Sequence, residues 1–285
     1  MKHLVIGASG QVGHALMLEL SRRGESAVGT YLSHPVPQLI PLDMRDQDQI
    51  AALLKTVAPD AVWIPAAMPD VDYCERHPET SYATNVEGPR QVLEQVASRK
   101  IPLVYFSSDY VFDGSAGPYR ETDTPHALQV YGQHKILAET ELLQYRETLV
   151  VRPAWVYSDE RNPRNFVFRV ISDLRAGRVI RAAIDQYNTP TPAAPLAWHA
   201  LDALSVGFRG ILHVAGPERL SRLELVQRIA ARAGYAQGMI EAVRLSELSL
   251  AALRPSQGGL ITNFAQFAVA DRLEDMDFRR LLTGS

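Results

Sequence analysis

Short apolar runs alternate with amphipathic stretches along the first half of the chain. HLVIG, ESAVGTY, DAVWIPAA, PLVYFSS and TLVVRPAW are rich in Val, Ile, Leu and aromatic residues, and each predicts a buried strand. Between them, QVGHALMLELSRRG, RDQDQIAALLKTV, ETSYATNVEGPRQVLEQVASR and QVYGQHKILAETELLQY carry apolar residues three and four apart, the stripe of an amphipathic helix. Strand and helix in alternation predict an α/β protein, a Rossmann-type doubly wound parallel sheet covered on both faces. The regularity weakens after residue 157. There DQYNTPTPAAP, rich in proline, predicts loop or sheet-edge structure, whereas RLSRLELVQRIAARAG and the stretch near SELSLAALR again read as helical. The expected organisation is a nucleotide-binding domain over 1–157 and a smaller substrate-binding region over 158–285. The two are expected to interleave, because GILHVAG still has the pattern of a strand.

Composition narrows this without changing it. A chain of 285 residues with 46% apolar and 21% charged residues can bury a full core. The net charge is −3, from 29 basic and 32 acidic residues mixed along the chain, so neither nucleic acid nor a membrane is an implied partner. Cys74 is the one cysteine, which excludes an internal disulfide and any multi-cysteine metal site. The apolar run before Gly7 is too short for a secretory signal, and a cytoplasmic protein is expected.

The first strand runs straight into GASGQVG and then a helix. Strand, glycine turn and helix in that order set backbone N–H groups and a helix amino end against a pyrophosphate, so a dinucleotide cofactor is expected at Gly7, Ser9, Gly10, Gln11, Val12 and Gly13. A protein selecting NAD would carry Asp or Glu at the end of the second strand. Here GTYLSH offers Thr30, Tyr31 and Ser33 and no acid, which favours NADPH. No arginine stands in that segment to clasp a 2′-phosphate, so NADH use stays open.

The fifth strand runs into SSDYVFDG, at the end of a strand where open α/β sheets bind ligands. Some way on, YGQHK places Tyr131 and Lys135 one helical turn apart, on one face. Lys135 is one of only four lysines in the chain. Reducing a ketone needs a hydride on carbon and a proton on oxygen. Tyrosine is a poor acid at its free pKa of about 10, and a nearby lysine cation, with the oxidised nicotinamide, is expected to lower that value. Ser108 is expected to hydrogen-bond the carbonyl oxygen and Lys135 to hold the nicotinamide ribose.

GASGQVG, with this Ser, Tyr and Lys set, resembles the extended short-chain dehydrogenase/reductases. Within them DVDYCE, YATNVEG, YFSSDYVFDG, PYRETDTP, VYGQHKILAE, VRPAWVY, RNFVFRVI, DQYNTPTPA and GILHVAG are similar to the dTDP-4-dehydrorhamnose reductases over most of the chain. The resemblance implies a homodimer that reduces the 4-keto group of a nucleotide-linked 6-deoxysugar, dTDP-4-dehydro-6-deoxy-L-mannose first among the candidates. It also implies that Asp43 and Met44 hold the adenine, and that Ala66, Ala67 and Asn85 lie by the cofactor. Val71, Asp72, Asp109, Tyr110 and Trp155 would surround the sugar, with Asn165 and Arg254 toward the nucleotide. Sugar-nucleotide 4,6-dehydratases carry an acid two places after the catalytic hydroxyl residue, where this chain has Tyr110, and 4-epimerases usually lack the Asp-Tyr-Val-Phe run.

Two departures stand out: Pro65 occupies an asparagine place in a shortened PAAMPDVD loop, and Ser108 stands where threonine is usual. AMPDVDYCE and SSDYVFDGSAGPYRETD equally resemble the regulatory beta subunit of methionine adenosyltransferase, which implies an NADP-binding partner protein as the alternative. The eight histidines form no metal-ligand pattern, and no metal is expected. His134, one residue before Lys135, is expected at the surface, and Cys74 as a bystander thiol.

Overall fold

The computed structural model describes residues 1–160, 162 and 165–282. In chain order the first half gives β1 (Lys2–Val5), α1 (Gln11–Arg22), β2 (Ser26–Tyr31), β3 (Ile40–Pro41), α2 (Gln47–Val57) and β4 (Ala61–Ile64). It continues with α3 (Val71–Arg76), α4 (Pro78–Tyr82), α5 (Gly88–Ala97), β5 (Leu103–Phe106), α6 (Val130–Leu142) and β6 (Thr148–Arg152). The second half holds β7 (Val156–Tyr157), α7 (Phe166–Arg175), β8 (Ile180–Ala183), β9 (Tyr187–Asn188), β10 (Thr191–Pro192) and α8 (Ala193–Ser205). It ends with β11 (Gly210–His213), β12 (Leu220–Ser221), α9 (Arg222–Arg232), β13 (Ile240–Val243) and α10 (Arg279–Leu282).

Seven of the strands form one parallel sheet in the order β3-β2-β1-β4-β5-β6-β11. Alternation along each strand divides its side chains between two cores. Val5, Trp63, Val104, Phe106, Leu149 and Val151 face α1 and α8. Leu4, Ile6, Val62, Ile64, Leu103, Tyr105 and Val150 face α2, α5 and α6. This is the doubly wound sheet that the alternating pattern predicts, with its strand order reversing between β1 and β4. A third core lies outside the sheet, where α7 packs on α9 and β8. No helix among the described residues is long and apolar enough to cross a membrane.

Three segments differ from the pattern. ETSYATNVEGPRQVLEQVASR is not one helix: α4 and α5 are joined through a π-helical turn, Ala83–Glu87. Pro89 in the first turn of α5 suits a new helix start. SELSLAALR forms only a 3₁₀ turn at Leu245–Glu247, because the Ala251 and Ala252 N–H groups that a helix would use donate to Asp72, each at 2.9 Å. Conversely, the proline-rich stretch runs through β9 and β10 directly into α8, a 13-residue helix whose first turn tolerates Pro195.

Candidate active site

Three of the six α-helices of the first half, α2, α3 and α6, have side-chain caps. Asp46 caps α2 by accepting from Asp48 N and Gln49 N, and Gln129 caps α6 by accepting from Gly132 N. The amino end of α1 has no side-chain cap, and its Ncap residue is Gly10. That leaves the first N–H groups for a ligand. Gly7, at φ +93°, turns the chain there, and a Cβ on it would come within 2.8 Å of Ala66. Thr30 Oγ1 accepts from Gly7 N at 3.1 Å and so anchors the turn to β2. A Cβ on Gly13 would sit 2.3 Å from Gly7 O, so Gly13 lets α1 pack against the turn and does not itself line the cleft.

From this turn a cleft of about 460 Å³ runs across the carboxyl ends of the strands. Gly7, Ser9, Gly10, Gln11, Val12, Thr30, Asp43, Met44, Ala66 and Ala67 all line it. So do His34 and Arg45, which sequence reasoning missed. Arg45 Nη2 lies 2.6 Å from Asp43 Oδ2, so the cationic group absent from the end of β2 is supplied from the loop before α2. Asn85 does not line the cleft. It is buried in the π turn, where Oδ1 accepts from Met68 N at 2.9 Å and Nδ2 donates to Met68 O and Ser81 Oγ. Its role is to hold the loop that carries Ala66 and Ala67.

At the other functional group of the cleft, Ser108 ends β5 and caps the 3₁₀ turn Asp109–Val111. Its Oγ accepts from Tyr110 N at 3.2 Å and donates to Asp109 Oδ1 at 3.1 Å. Asn188 Nδ2 donates to the other Asp109 oxygen at 2.6 Å. Burial nevertheless raises the Asp109 carboxyl to about 6. Helix α6 packs on this turn so closely that a Cβ on Gly132 would stand 2.0 Å from Tyr110 O. The glycine of YGQHK therefore brings Tyr131 beside Ser108 and Asp109, and all three line the cleft with Lys135.

Lys135 is 1% exposed, and its ammonium donates to Tyr105 Oη at 3.0 Å and to Phe106 O at 2.9 Å. Burial brings its pKa down to about 7. Lys135 by itself does not lower Tyr131. Burial pushes that phenol up, the Asp109 charge adds to the shift, and Lys135 Nζ lies 5.8 Å from the ring centroid, engaged with Tyr105. His134 is also not a surface residue. It is 9% exposed, with Nδ1 2.8 Å from Ser81 Oγ, in the network of Asn85.

On the sugar side, Val71, Tyr110 and Trp155 line the cleft. Trp155 has φ +35°, a left-handed backbone that is costly for a residue other than glycine. Asp72 and Arg254 form an ion pair at 3.0 Å and do not line the cleft. Asn165 is a correction: it is fully buried, caps α7 by accepting from Val167 N, and donates to the carbonyls of Ser158 and Glu160. With its amide fully engaged, it has no group left for a nucleotide.

The chain matches the family model described as RmlD substrate binding domain over residues 1–279. It belongs to that family. Among RmlD relatives, the probable low-salt glycan biosynthesis reductase Agl14 of Haloferax volcanii is 32% identical over 268 residues, covering 91% of this chain and 89% of the relative. The methionine adenosyltransferase 2 subunit beta of Xenopus laevis is 28% identical over 235 residues, 80% of this chain and 70% of that protein. Among solved structures, the dTDP-4-dehydrorhamnose reductase of Bacillus anthracis in complex with NADP is 26% identical with a TM-score of 0.84, covering 92% and 90% of the two chains. Behind the cleft of this RmlD-family chain stand two polar residues to which sequence reasoning gave no role, Tyr105 on Lys135 and Asn188 on Asp109. Both come from elements distant in sequence from YGQHK, and the one available signal was that strand residue Tyr105 is polar in an otherwise apolar run.

Proposed function

We propose that this NAD(P)-dependent oxidoreductase uses NADPH to reduce the 4-keto group of a nucleotide-linked 6-deoxysugar, with dTDP-4-dehydro-6-deoxy-L-mannose as the best candidate. One observation carries the reading: a single cleft joins the uncapped amino end of α1 to Ser108, Tyr131 and Lys135. The tight glycine turn and the uncapped amino end of α1 behind it suit a dinucleotide, and Arg45 with His34 suits the 2′-phosphate that distinguishes NADPH. When bound, the nicotinamide supplies the hydride.

The chain supplies the rest. Tyr131 gives its phenolic proton to the carbonyl oxygen as charge develops there. Its raised pKa keeps it protonated until that moment, and the Lys135 ammonium stabilises the phenolate left behind. Two of the three ammonium donors are fixed by Tyr105 and Phe106, leaving one for a ribose hydroxyl. Ser108 now spends its proton on Asp109, and rotating it into the cleft lets it donate to the same oxygen.

The test is NADPH oxidation at 340 nm with the dTDP-4-keto sugar. Wild type is expected to turn over, and Tyr131→Phe to lose roughly 10²- to 10⁴-fold in kcat with NADPH affinity kept. The likeness to the methionine adenosyltransferase beta subunit supports a second reading, a regulatory NADP-binding partner. A wild type that binds NADPH but leaves it unoxidised with every 4-keto sugar supplied would favour that reading.

A further inference from the structure

Behind the sugar side of the cleft, packed on Trp155 without itself lining the cleft, lies a cation that the reduction does not use. Arg222 opens α9, directly after the capping box of Ser221 and Glu224. Its guanidinium carbon lies 3.5 Å from the Trp155 ring centroid and 4.4 Å from that of Phe166. Burial draws its pKa down to about 10; Tyr110 and Asp109 act against that, while Arg169 and Arg254 add to it. Arg169 lies over the same Phe166 ring, 5.8 Å from its centroid, and Arg254 is near enough to repel, so three guanidinium groups gather behind Tyr110 and Trp155, which line the cleft. Arg254 has Asp72 as partner at 3.0 Å. Neither Arg222 nor Arg169 has a carboxylate or a hydrogen-bond acceptor for its side chain among the described residues.

A half-buried cation among like charges is unfavourable unless an anion compensates it. The chain as a whole is acidic, with net charge −3, so the cluster is not part of a generally basic surface. Aromatic rings hold a guanidinium by its face and leave the donors at its edge, in the fork that fits phosphoryl oxygens. They also explain the backbone of Trp155: a left-handed φ persists where the surroundings over-determine it, and Arg222 covers that ring. The pyrophosphate of the cofactor has its own place at the amino end of α1. We infer that Arg222, supported by Arg169 and Arg254, binds the diphosphate of the sugar-nucleotide substrate. The assignment rests on the reductase reading above. One face of Trp155 is then given to the cation, and only the other is open to a sugar ring.

Calorimetric titration with dTDP and with inorganic pyrophosphate tests this, with NADPH as the control for folding. Hydrogen bonds to a charged group predict dTDP binding about 10- to 100-fold weaker in Arg222→Gln, with NADPH affinity unchanged. Arg222→Lys is expected between the two, since it keeps the charge and loses the fork. With the keto sugar, KM rises and kcat holds. Wild-type dTDP affinity in Arg222→Gln overturns the assignment. Should that variant lose NADPH binding, exposed Arg169→Gln replaces it: several-fold weaker dTDP binding supports the cluster, and unchanged binding overturns it. A wild type that binds NADPH but not dTDP defeats the sugar-nucleotide reading as well, whereas one that reduces the keto sugar while Arg222→Gln binds dTDP normally defeats this inference alone.

Discussion

Lys135 shows how the site sets chemistry against stability. An unfolded lysine titrates near 10.4, and in the folded chain burial brings this one to about 7. The folded state therefore binds that proton less readily than the unfolded state, and the stability contributed by this group rises with pH between the two values. Its penalty is complete below pH 7 and fades toward pH 10. Lys135→Met is expected to raise Tm by a few degrees at pH 6, with a gain that shrinks as pH rises, while abolishing reduction. Thermal melts at pH 6 and pH 9 check the sign: a lower Tm at pH 6 would show that the bonds to Tyr105 and Phe106 outweigh the buried charge. Local spacing made Tyr131 and Lys135 legible, because i and i+4 share a helix face. Tyr105 and Asn188 were not legible in that way. They reach the site from β5 and β9, and only the folded sheet makes them neighbours.

At the level of elements, periodicity found the helices and missed how they are interrupted. The stretch from Glu79 to Arg99 has one continuous apolar stripe, yet a π turn in its middle sends Asn85 inward. An extra residue per turn rotates a side chain off the face that the 3.6-residue period assigns to it. From there Asn85 satisfies both the N–H and the carbonyl of Met68, in the loop that begins at Pro65. Asn85→Ala leaves those two groups without their partner, at a cost of about 1–3 kcal/mol for each group that stays dry. The expected result is a lower Tm and weaker NADPH binding, since Ala66 and Ala67 line the cleft on that loop. Fluorescence titration of NADPH measures the second effect. Unchanged affinity in a destabilised variant would make Asn85 a fold residue without influence on the cofactor. SELSLAALR fails in the opposite sense. Its helical pattern is real, but Asp72 competes for the same backbone donors and holds the segment against α3.

For the whole molecule, the sequence boundary near residue 157 is not a boundary of the core. The sheet face that carries Val5, Trp63, Val104 and Val151 is closed by Leu196, Ala197, Ala200, Leu201 and Leu204 of α8, with Leu212 and Val214 at β11, all from the second half. Strand β11 also pairs with β6 along Gly210–His213, so that β6 is an interior strand only when the second half is present. The pattern of GILHVAG identified a strand; which edge it joins depends on the chain passing through α8 first, and no local pattern encodes that route. A fragment ending at residue 157 would expose the α8-facing side of α1 and one unpaired edge of β6, whose residues are all buried in the full chain. Exposed apolar surface beside a bare strand edge promotes association. The fragment is therefore expected to aggregate, or to melt without a cooperative transition, while the full chain unfolds in urea as one unit reported alike by circular dichroism and tryptophan fluorescence. A soluble fragment with its own sharp melt would mean that the first half is an independent domain. In that case the second half could be exchanged without loss of the fold. If instead the full chain unfolds as one unit, changes to α8 or β11 act on the cofactor end through the shared core, and the two halves of the cleft are stable only together.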